Sequence, residues 1–467
     1  MNNKKEVDEE KLKKETQTLS IKDAAAYGVM DGAGLRYISP YALAIGANNT
    51  QIGFLSSVPA LLGNLSQLFT SKVAEKYSRK KIIFICVLLQ AFMWIPIIAL
   101  GYLFLNKNLN PGSNSTLLII FFTILTLFGA FASPAWNSLI KDNVDRGRGE
   151  YFGRRNRIIT IVAIAVMLIG GLILNSFSKI NILRGFIILF GVAFIARLIS
   201  AYFIAKHYEP KLELDKKSYF SLFDFIKGIP KSNFGKFTLF IGLISLAASI
   251  ASPFFTVYLL KDLNLNYIVW TIVIVSNSIS TFISMPLWGK FSDDYGNLRV
   301  LKWTGAVVGL IPLLWFLIMF LIKINIPLVI GYLIVVELFS GFIWAGFNLS
   351  AVNFIYDAVS REKLALCVSY YNIINGVGVF IGASLGGLVA SMNFSFLGVS
   401  PILFLFVLSA IARFGVYLFM IPKIKEVREI KRYNHGVFKK RLKKVLTPTP
   451  FKFLRHTSSD HNEFILG

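Results

Sequence analysis

Long apolar runs alternate with shorter polar gaps along most of the chain. A membrane-spanning helix needs roughly 20 apolar residues to cross about 30 Å of hydrocarbon. By this measure we predict twelve membrane helices, at residues 21–45, 50–71, 81–105, 116–140, 155–177, 181–206, 236–260, 266–289, 299–322, 326–352, 365–391 and 398–422. The predicted fold class is therefore an all-α integral membrane protein with twelve transmembrane helices.

The polar gaps differ systematically in charge. The gap at 141–157 contains six Lys and Arg residues, whereas the gap at 47–51 contains none. Cationic residues accumulate in cytoplasmic loops. We therefore expect a multi-pass protein of the plasma membrane with both termini in the cytoplasm.

Three polar segments outside the helices define the predicted domains. A cytoplasmic N-terminal tail covers 1–20, a cytoplasmic linker covers 208–235, and a basic C-terminal tail covers 423–467. The linker separates an N-terminal six-helix bundle at 21–207 from a C-terminal one at 236–422, and part of it favours a short interfacial helix. The C-terminal tail fits either an amphipathic helix on anionic lipid or a disordered segment.

Composition supports a membrane protein and excludes several other classes. The chain is 55% hydrophobic and only 16% charged, with a net charge of +24. Because the cations are spread over loops and tails, they favour anionic lipid headgroups as partners and not nucleic acid. The two cysteines and four histidines show no disulfide or metal-binding spacing. We expect a monomer without metal or cofactor.

The two halves of the chain share short sequence matches in the same order. Ile195-Ala196-Arg197 recurs as Ile411-Ala412-Arg413, Ser39-Pro40 recurs as Ser252-Pro253, and Pro96 matches Pro312. All these offsets fall between 213 and 218 residues. Parallel six-helix repeats of this kind are a recurring plan among transporters, so we predict two pseudo-symmetric six-helix bundles.

A charged segment between the second and third predicted helices carries a family resemblance. It contains Ser71, Glu75, Lys76, Ser78, Arg79 and Lys80, and its second copy contains Gly289, Asp293, Asp294 and Gly296. With the six-plus-six plan and the central linker, this segment resembles the signature of the major facilitator superfamily over about residues 21–422. The resemblance implies a cytoplasmic gate formed by Glu75, Lys76, Arg79, Lys80, Asp293 and Asp294. The alternative is a set of solvated loop charges.

Five charged residues lie well inside predicted helices, where each is costly unless it faces a cavity or a partner. Arg197 and Arg413 are counterparts in the repeat, which favours a structural role for both. Asp31, Arg36 and Glu337 correspond instead to Ile244, Ser249 and Phe121 in the other half.

We expect a charge found in only one half to serve substrate or coupling ion. The resemblance implies that the first, fourth, seventh and tenth helices line the central cavity, and Asp31, Arg36 and Glu337 belong to the first and tenth. Desolvation favours the neutral form of a buried carboxyl group, so Glu337 is the first candidate for a proton carrier and Asp31 the second. Asp31 and Arg36 are about 140° apart on a regular helix, which is unfavourable for a direct pair. The alternative role for each is a structural ion pair with another helix.

Further polar and aromatic residues at a similar depth are candidates to complete a substrate site. They are Tyr37, Ser249, Asn277, Trp344, Asn348 and Asn375. The eleventh predicted helix carries Gly378, Gly382 and Gly386, a spacing that allows close packing against a neighbouring helix. We expect that packing at the interface between the halves.

The pattern as a whole predicts a secondary transporter and not an enzyme. No Walker motif, nucleophile elbow or metal cluster is apparent, so the expected activity is transport of a small solute by alternating access. Transport is driven by an ion gradient, of protons if Glu337 or Asp31 titrates, or is facilitative. The alternatives are efflux of drugs or amphipathic molecules and, in different classes, a lipid scramblase or a non-transporting receptor.

Overall fold

Every predicted membrane helix corresponds to one or more helices in the structure. The computed structural model describes residues 2–106, 110–144, 147–210, 221–360, 363–393 and 399–428, without the side chains of residues 2–7, 71, 72, 75 and 365. In this part of the chain the α-helices are α1 Asn2–Ala33, α2 Ile38–Ala44, α3 Asn49–Lys76, α4 Arg79–Phe92, α5 Trp94–Leu105, α6 Pro111–Asn143, α7 Arg148–Phe177, α8 Ile182–Ala205, α9 Leu222–Gly228, α10 Asn233–Ser249, α11 Phe254–Val257, α12 Tyr267–Tyr295, α13 Asn297–Val308, α14 Leu310–Phe316, α15 Ile318–Leu321, α16 Ile326–Ala358, α17 Leu364–Ala390 and α18 Pro401–Met420.

Asparagine and serine side chains determine where many of these helices begin. They accept hydrogen bonds from otherwise unpaired backbone N–H groups in the first turn, which stabilises a helix start. Asn48, for example, forms a reciprocal capping box with Gln51 at the start of α3. Similar caps begin α10, α12, α16 and α18, at Ser232, Asn266, Asn325 and Ser400.

Eleven candidate membrane spans occur among the described residues. The first predicted span is absent from this set. Its apolar length is divided between α1 and α2, and it carries Lys22, Asp23, Asp31 and Arg36. The predicted all-α membrane fold is confirmed, and the division of the first span gives its charged residues a local geometry that a continuous helix would not have.

Helix breaks recur at equivalent positions of the two halves. The third span breaks at Met93, between α4 and α5, and the ninth at Gly309, between α13 and α14. A proline follows each break three residues later, and proline cannot donate the backbone hydrogen bond of a regular helix. The first and seventh spans are also interrupted, before Pro40 and at Pro253.

Helix packing follows the same two-fold plan. Within the halves, α1 packs against α7 and α8, and α10 packs against α17 and α18. Between the halves, α3 packs against α17 and α7 packs against α12. The spans that meet are therefore the second with the eleventh and the fifth with the eighth, which are equivalent pairs. We call the end of the bundle from which the chain leaves α8 the linker end, and the opposite end the loop end.

The glycines of α17 contact a different partner from the one expected. A Cβ atom on Gly378, Gly382 or Gly386 would lie 2.1–2.3 Å from backbone carbonyl oxygens of α10 or, for Gly386, of Ile250 just after it. The close packing is therefore real but lies inside the second half, and the expected interface between halves is wrong for these three residues. Two other glycines of α17, Gly376 and Gly387, approach α3 of the first half.

The linker contains the predicted short helix as α9. Its Phe225 is buried against the rings of Phe234 and Tyr370, with centroids 5.9 and 5.4 Å away. The amphipathic helix predicted for the C-terminal tail falls almost wholly outside the described residues, which end at Arg428.

Candidate transport site

Asp31 and Arg36 form an ion pair, contrary to the expectation for a regular helix. The Nε atom of Arg36 donates to Oδ2 of Asp31 at 3.1 Å. The pair forms because α1 ends at Ala33 and the chain continues through a 3₁₀ turn at Leu35–Tyr37. That turn changes the rotation between the two side chains and brings them to the same side.

Arg36 also reaches the other half of the molecule. Its Nη1 atom donates to the hydroxyl of Ser278 on α12 at 3.4 Å. The Arg36 side chain is 40% exposed and that of Asp31 is 17% exposed. Because Arg36 bonds across to the second half, its partly exposed guanidinium lies at the boundary between the halves.

Glu337 lies in the interior of the second half. Its Oε2 atom accepts a hydrogen bond from Asn277 of α12 at 2.8 Å, and its Oε1 atom accepts one from the indole of Trp315 in α14 at 3.1 Å. Glu337 is 7% exposed, and both donors are neutral. The carboxyl group is therefore held by dipoles and not by a cation.

Two neighbouring residues of α12 connect these charges. Ser278 faces the Asp31–Arg36 pair, while Asn277 bonds Glu337 and also lies 3.2 Å from the hydroxyl of Ser340. At a rise of about 1.5 Å per residue, Asn277 lies about 15 Å from the loop-end start of α12. The same arithmetic places Glu337 about 16 Å along α16. The charges that only one half possesses thus lie at a similar depth, near the middle of the bundle.

The remaining predicted site residues are dispersed. Tyr37 is fully buried, and its hydroxyl donates to the carbonyl of Met167 at 2.6 Å and shares a hydrogen bond with Thr271 of the other half at 3.2 Å. Ser249 is buried at the end of α10, and Asn348 is exposed on α16. Trp344 packs on Phe347, and Asn375 is half-buried on α17. The structure therefore does not bring these five together with Arg36.

Arg197 belongs to a buried polar network that the sequence reasoning missed in part. It donates to Gln90 at 2.7 Å and to Ser200 at 2.9 Å, and Ser200 donates to Asp23 at 2.6 Å. Arg155 completes the network with an ion pair to Asp23 at 2.9 Å. These contacts join the first, third, fifth and sixth spans, as the structural interpretation of Arg197 requires.

His207 lies next to this network, beyond the end of α8. Neither ring nitrogen has a hydrogen-bond partner among the described residues, and the side chain is 1% exposed. Burial lowers the pKa of His207 to about 4, with Asp23 opposing the shift and Arg155 and Lys80 adding to it. His207 is therefore neutral at ordinary pH.

Arg413 bonds to backbone carbonyls and not to acids. Its Nη1 atom donates to the carbonyl of Val308 at 3.0 Å, and Nη2 donates to that of Ala248 at 3.4 Å. Pro312 leaves the Val308 carbonyl without its helical partner. Arg413 thus bonds to the backbone beside the break in the ninth span, and its structural role stays a prediction.

A cluster at the linker end holds the first half together, and we call it the first clasp. The Arg79 side chain, 2% exposed, donates to Asp142 at 2.5 Å and to Ser138 at 2.9 Å. The backbone N–H of Arg79 donates to Glu209 at 2.7 Å, and the Ser78 hydroxyl also bonds Glu209. An acid at a helix N-terminus is favourable because unpaired N–H groups and the helix dipole meet it there.

The second half repeats the arrangement as a second clasp. The backbone N–H of Leu298, at the start of α13, donates to Glu426 at 2.8 Å, and Asn297 donates to Asp357 at 2.6 Å. Arg428 bonds Asp357 at 3.0 Å and Asp293 at 3.2 Å. Sequence reasoning named Asp293 but missed the other clasp acids, although Asp142/Asp357 and Glu209/Glu426 have offsets of 215 and 217 residues. Those matching offsets were a signal that could have found them.

The other predicted gate residues are more peripheral. Lys76 is exposed at the end of α3, Lys80 is half-buried in the first turn of α4, and Asp294 lies in the last turn of α12. The side chain of Glu75 lies outside the described residues. The gate role of the signature residues stays a prediction.

The fold and the central charges together define a class, that of transporters built from two six-helix repeats. The sequence profile of the Major Facilitator Superfamily matches the chain at residues 25–351 and 237–458. The first match alone covers most of the chain. The protein belongs to this superfamily, which confirms the resemblance and the predicted class of transporter.

Solved structures share the fold at low sequence identity. The nucleoside transporter NupG superposes with a TM-score of 0.64 and 17% identity, covering 89% of this chain and 100% of NupG. An auto-inhibited peptide transporter of the POT family gives 0.67 and 10%, covering 90% of this chain and 98% of its own. A bacterial homologue of the iron transporter ferroportin, in an inward-facing state, gives 0.63 and 14%, covering 88% and 98%. A search of curated proteins by sequence finds no match.

Proposed function

We propose that this protein is a proton-coupled secondary transporter of a small polar solute in the plasma membrane, with the linker end in the cytoplasm. The observation that carries the proposal is the convergence of Asp31, Arg36 and Glu337 on two adjacent residues of α12. Solute sites in transporters lie near the middle of the membrane between the repeats. Intramembrane charges at such a place mark ion and substrate pathways.

Glu337 is the proposed proton carrier. An ionised carboxylate holds a hydrogen-bond donor more strongly than a neutral acid does. Protonation of Glu337 therefore weakens its bond to Asn277 and frees α12 next to Ser278. Because Ser278 bonds Arg36 of the other half, the protonation state of Glu337 acts on a contact between the halves.

The Asp31–Arg36 pair is the proposed solute contact. The partly exposed guanidinium lies at the boundary between the halves and offers N–H groups to a carboxylate, phosphate or carbonyl oxygen of a solute. A solute that takes Arg36 from Ser278 removes a contact between the halves. The two clasps join helices within each half at the linker end, and Tyr37 bonds to Thr271 of the other half nearer the loop end.

The solute must be found by a screen, for which the structural neighbours supply a starting panel. Purified protein is tested for thermal stabilisation by nucleosides, short peptides and divalent metal ions, followed by a broader set of anionic and polar metabolites. A ligand that stabilises wild-type protein but not Arg36→Gln fits the proposed contact. Equal stabilisation of both variants assigns the ligand to another site.

Uptake into proteoliposomes then tests coupling. We expect a pH gradient to increase uptake by wild-type protein and to leave uptake by Glu337→Gln unchanged. The control is Glu426→Gln, the same carboxyl-to-amide change at the second clasp, which should keep the ratio of uptake with and without the gradient. If Glu337→Gln retains that ratio, the proton-carrier assignment is wrong.

A further inference from the structure

A groove without an assigned role lies at the linker end of the first half. It is formed between the polar N-terminal part of α1 and the last turn of α8, and its volume is about 810 Å³. Its charged lining residues are Lys11, Lys14, Lys22 and Lys206, with Glu10 and Glu15. Cations therefore outnumber acids in the groove.

Two of the lysines are available to bind an anion. Glu10 pairs with Lys14 at 2.7 Å and so neutralises part of the charge. Lys22 and Lys206 make no ion pair within the described part of the chain, and both are exposed. The Nζ atom of Lys206 donates to the Tyr202 hydroxyl and lies 4.2 Å from the centroid of that ring, which directs its side chain along α8 and leaves two of its N–H groups for an anion. The two lysines belong to different helices and flank the same opening.

An apolar stripe on α8 leads directly to Lys206. The exposed side chains of this stripe are Ile188, Val192, Ile195, Ile199 and Tyr202, each 40–57% exposed. Their spacing alternates between four and three residues, which places them on one face of the helix, and Lys206 continues the same series. In a membrane protein this face contacts lipid chains. The basic groove is thus located where the lipid-facing surface of α8 ends.

We propose that the groove binds the phosphate headgroup of an anionic phospholipid, with its acyl chains along the α8 stripe. A soluble anion would be bound by the lysines alone, whereas a phospholipid also matches the apolar face that adjoins them. Basic residues at the cytoplasmic surface attract anionic lipid headgroups. In the described part of the second half, α10 begins at Asn233 without a polar helical extension like that of α1. Lys423, the counterpart of Lys206 after α18, therefore provides a matched control.

The test measures thermal stability of the full-length protein in detergent as phosphatidylglycerol, phosphatidylcholine or glycerol 3-phosphate is added. We expect wild-type protein to be stabilised by phosphatidylglycerol only. The double variant Lys22→Gln/Lys206→Gln should bind phosphatidylglycerol about 30-fold more weakly, since each lysine near an anionic surface contributes about fivefold. Lys423→Gln should bind as wild type does.

Lys22→Arg/Lys206→Arg provides a second variant that keeps both charges and should retain binding. Equal stability of all variants in phosphatidylcholine shows that the substitutions leave the fold intact. If the variants differ in stability there, the number of bound lipids is counted by native mass spectrometry instead of by the thermal assay. The proposal is overturned if the Gln double variant binds phosphatidylglycerol as tightly as wild type. It is also overturned if glycerol 3-phosphate stabilises wild type as well as the lipid does, because the groove would then be a site for soluble anions.

Discussion

Asp142 should be the most sensitive position of the first clasp. Arg79 is 2% exposed and depends on Asp142 at 2.5 Å, with Glu209 farther away at 3.6 Å from its Nε atom. Removing one partner of a buried ion pair costs about 3–5 kcal/mol, since the other charge is left uncompensated. Because Asp142 is 36% exposed, and because Glu209 and the Pro210 carbonyl still face the guanidinium and compensate part of its charge, we expect Asp142→Asn to cost about 2–3 kcal/mol of folding stability.

The physical reasoning predicts a rescue. If the cost comes from an uncompensated cation, replacing Arg79 by an apolar side chain of similar length removes it. Arg79→Met/Asp142→Asn should therefore be more stable than Asp142→Asn alone, by about 1 kcal/mol or more. Unfolding of the purified variants is followed by tryptophan fluorescence.

The second clasp supplies the comparison. Asp357→Asn removes the equivalent acid, but Arg428 is 40% exposed, and such pairs contribute about 0–1 kcal/mol. A double variant no more stable than Asp142→Asn would refute the uncompensated-charge argument. So would an equal loss for Asp357→Asn and Asp142→Asn.

Three further variants test other parts of the structure. Tyr37→Phe removes a hydrogen bond between the halves worth about 1 kcal/mol, so the distribution of spin-label distances across the loop end should broaden. Tyr41→Phe is the control, because the bond of Tyr41 to Ile97, at 2.8 Å, lies within one half. It should leave the distance distribution unchanged. Gly382→Ala should destabilise the protein strongly, because its Cβ would lie 2.1 Å from a backbone oxygen of α10. Gly415→Ala is the control and should be neutral or stabilising, because a Cβ there has no atom within 4 Å. Equal effects of the two substitutions would contradict the packing argument. Burial lowers the pKa of His207 to about 4, so as the pH falls the unfolded chain binds a proton at His207 before the folded protein does. The free energy of unfolding should therefore fall between about pH 6.5 and about pH 4, by at most about 3 kcal/mol. His207→Ile, which copies the residue at the equivalent position of the second half, should remove that dependence, and an unchanged pH profile would show that another group is responsible.

The repeat made most of the fold predictable from sequence, because matched prolines and arginines mark equivalent positions on equivalent helices. Hydropathy predicted the spans, since membrane helices must be apolar over a fixed length. It did not predict the breaks inside them. The pairing of Asp31 with Arg36 depends on the break after Ala33, which only the folded chain displays.

The candidate site was predictable in composition but not in geometry. Glu337 stood out as a charge without a counterpart, yet its donors, Asn277 and Trp315, come from two other helices whose rotation is set by packing. The role of Asp23 in the buried network was not predicted, because Asp23 lies near the end of a predicted span, where charges are common. Asp142, Glu209, Asp357 and Glu426 were not predicted because they lie outside the apolar runs, although their spacing follows the repeat.

The most direct test of the account is the number of protons that move with each solute molecule. The measurement uses proteoliposomes containing a pH-sensitive dye and the solute identified by the stabilisation screen. Wild-type protein should move protons in fixed proportion to solute, and Glu337→Gln should exchange solute across the membrane without moving protons. An unchanged proton-to-solute ratio in Glu337→Gln would contradict the assignment of coupling to the charges that only one half carries.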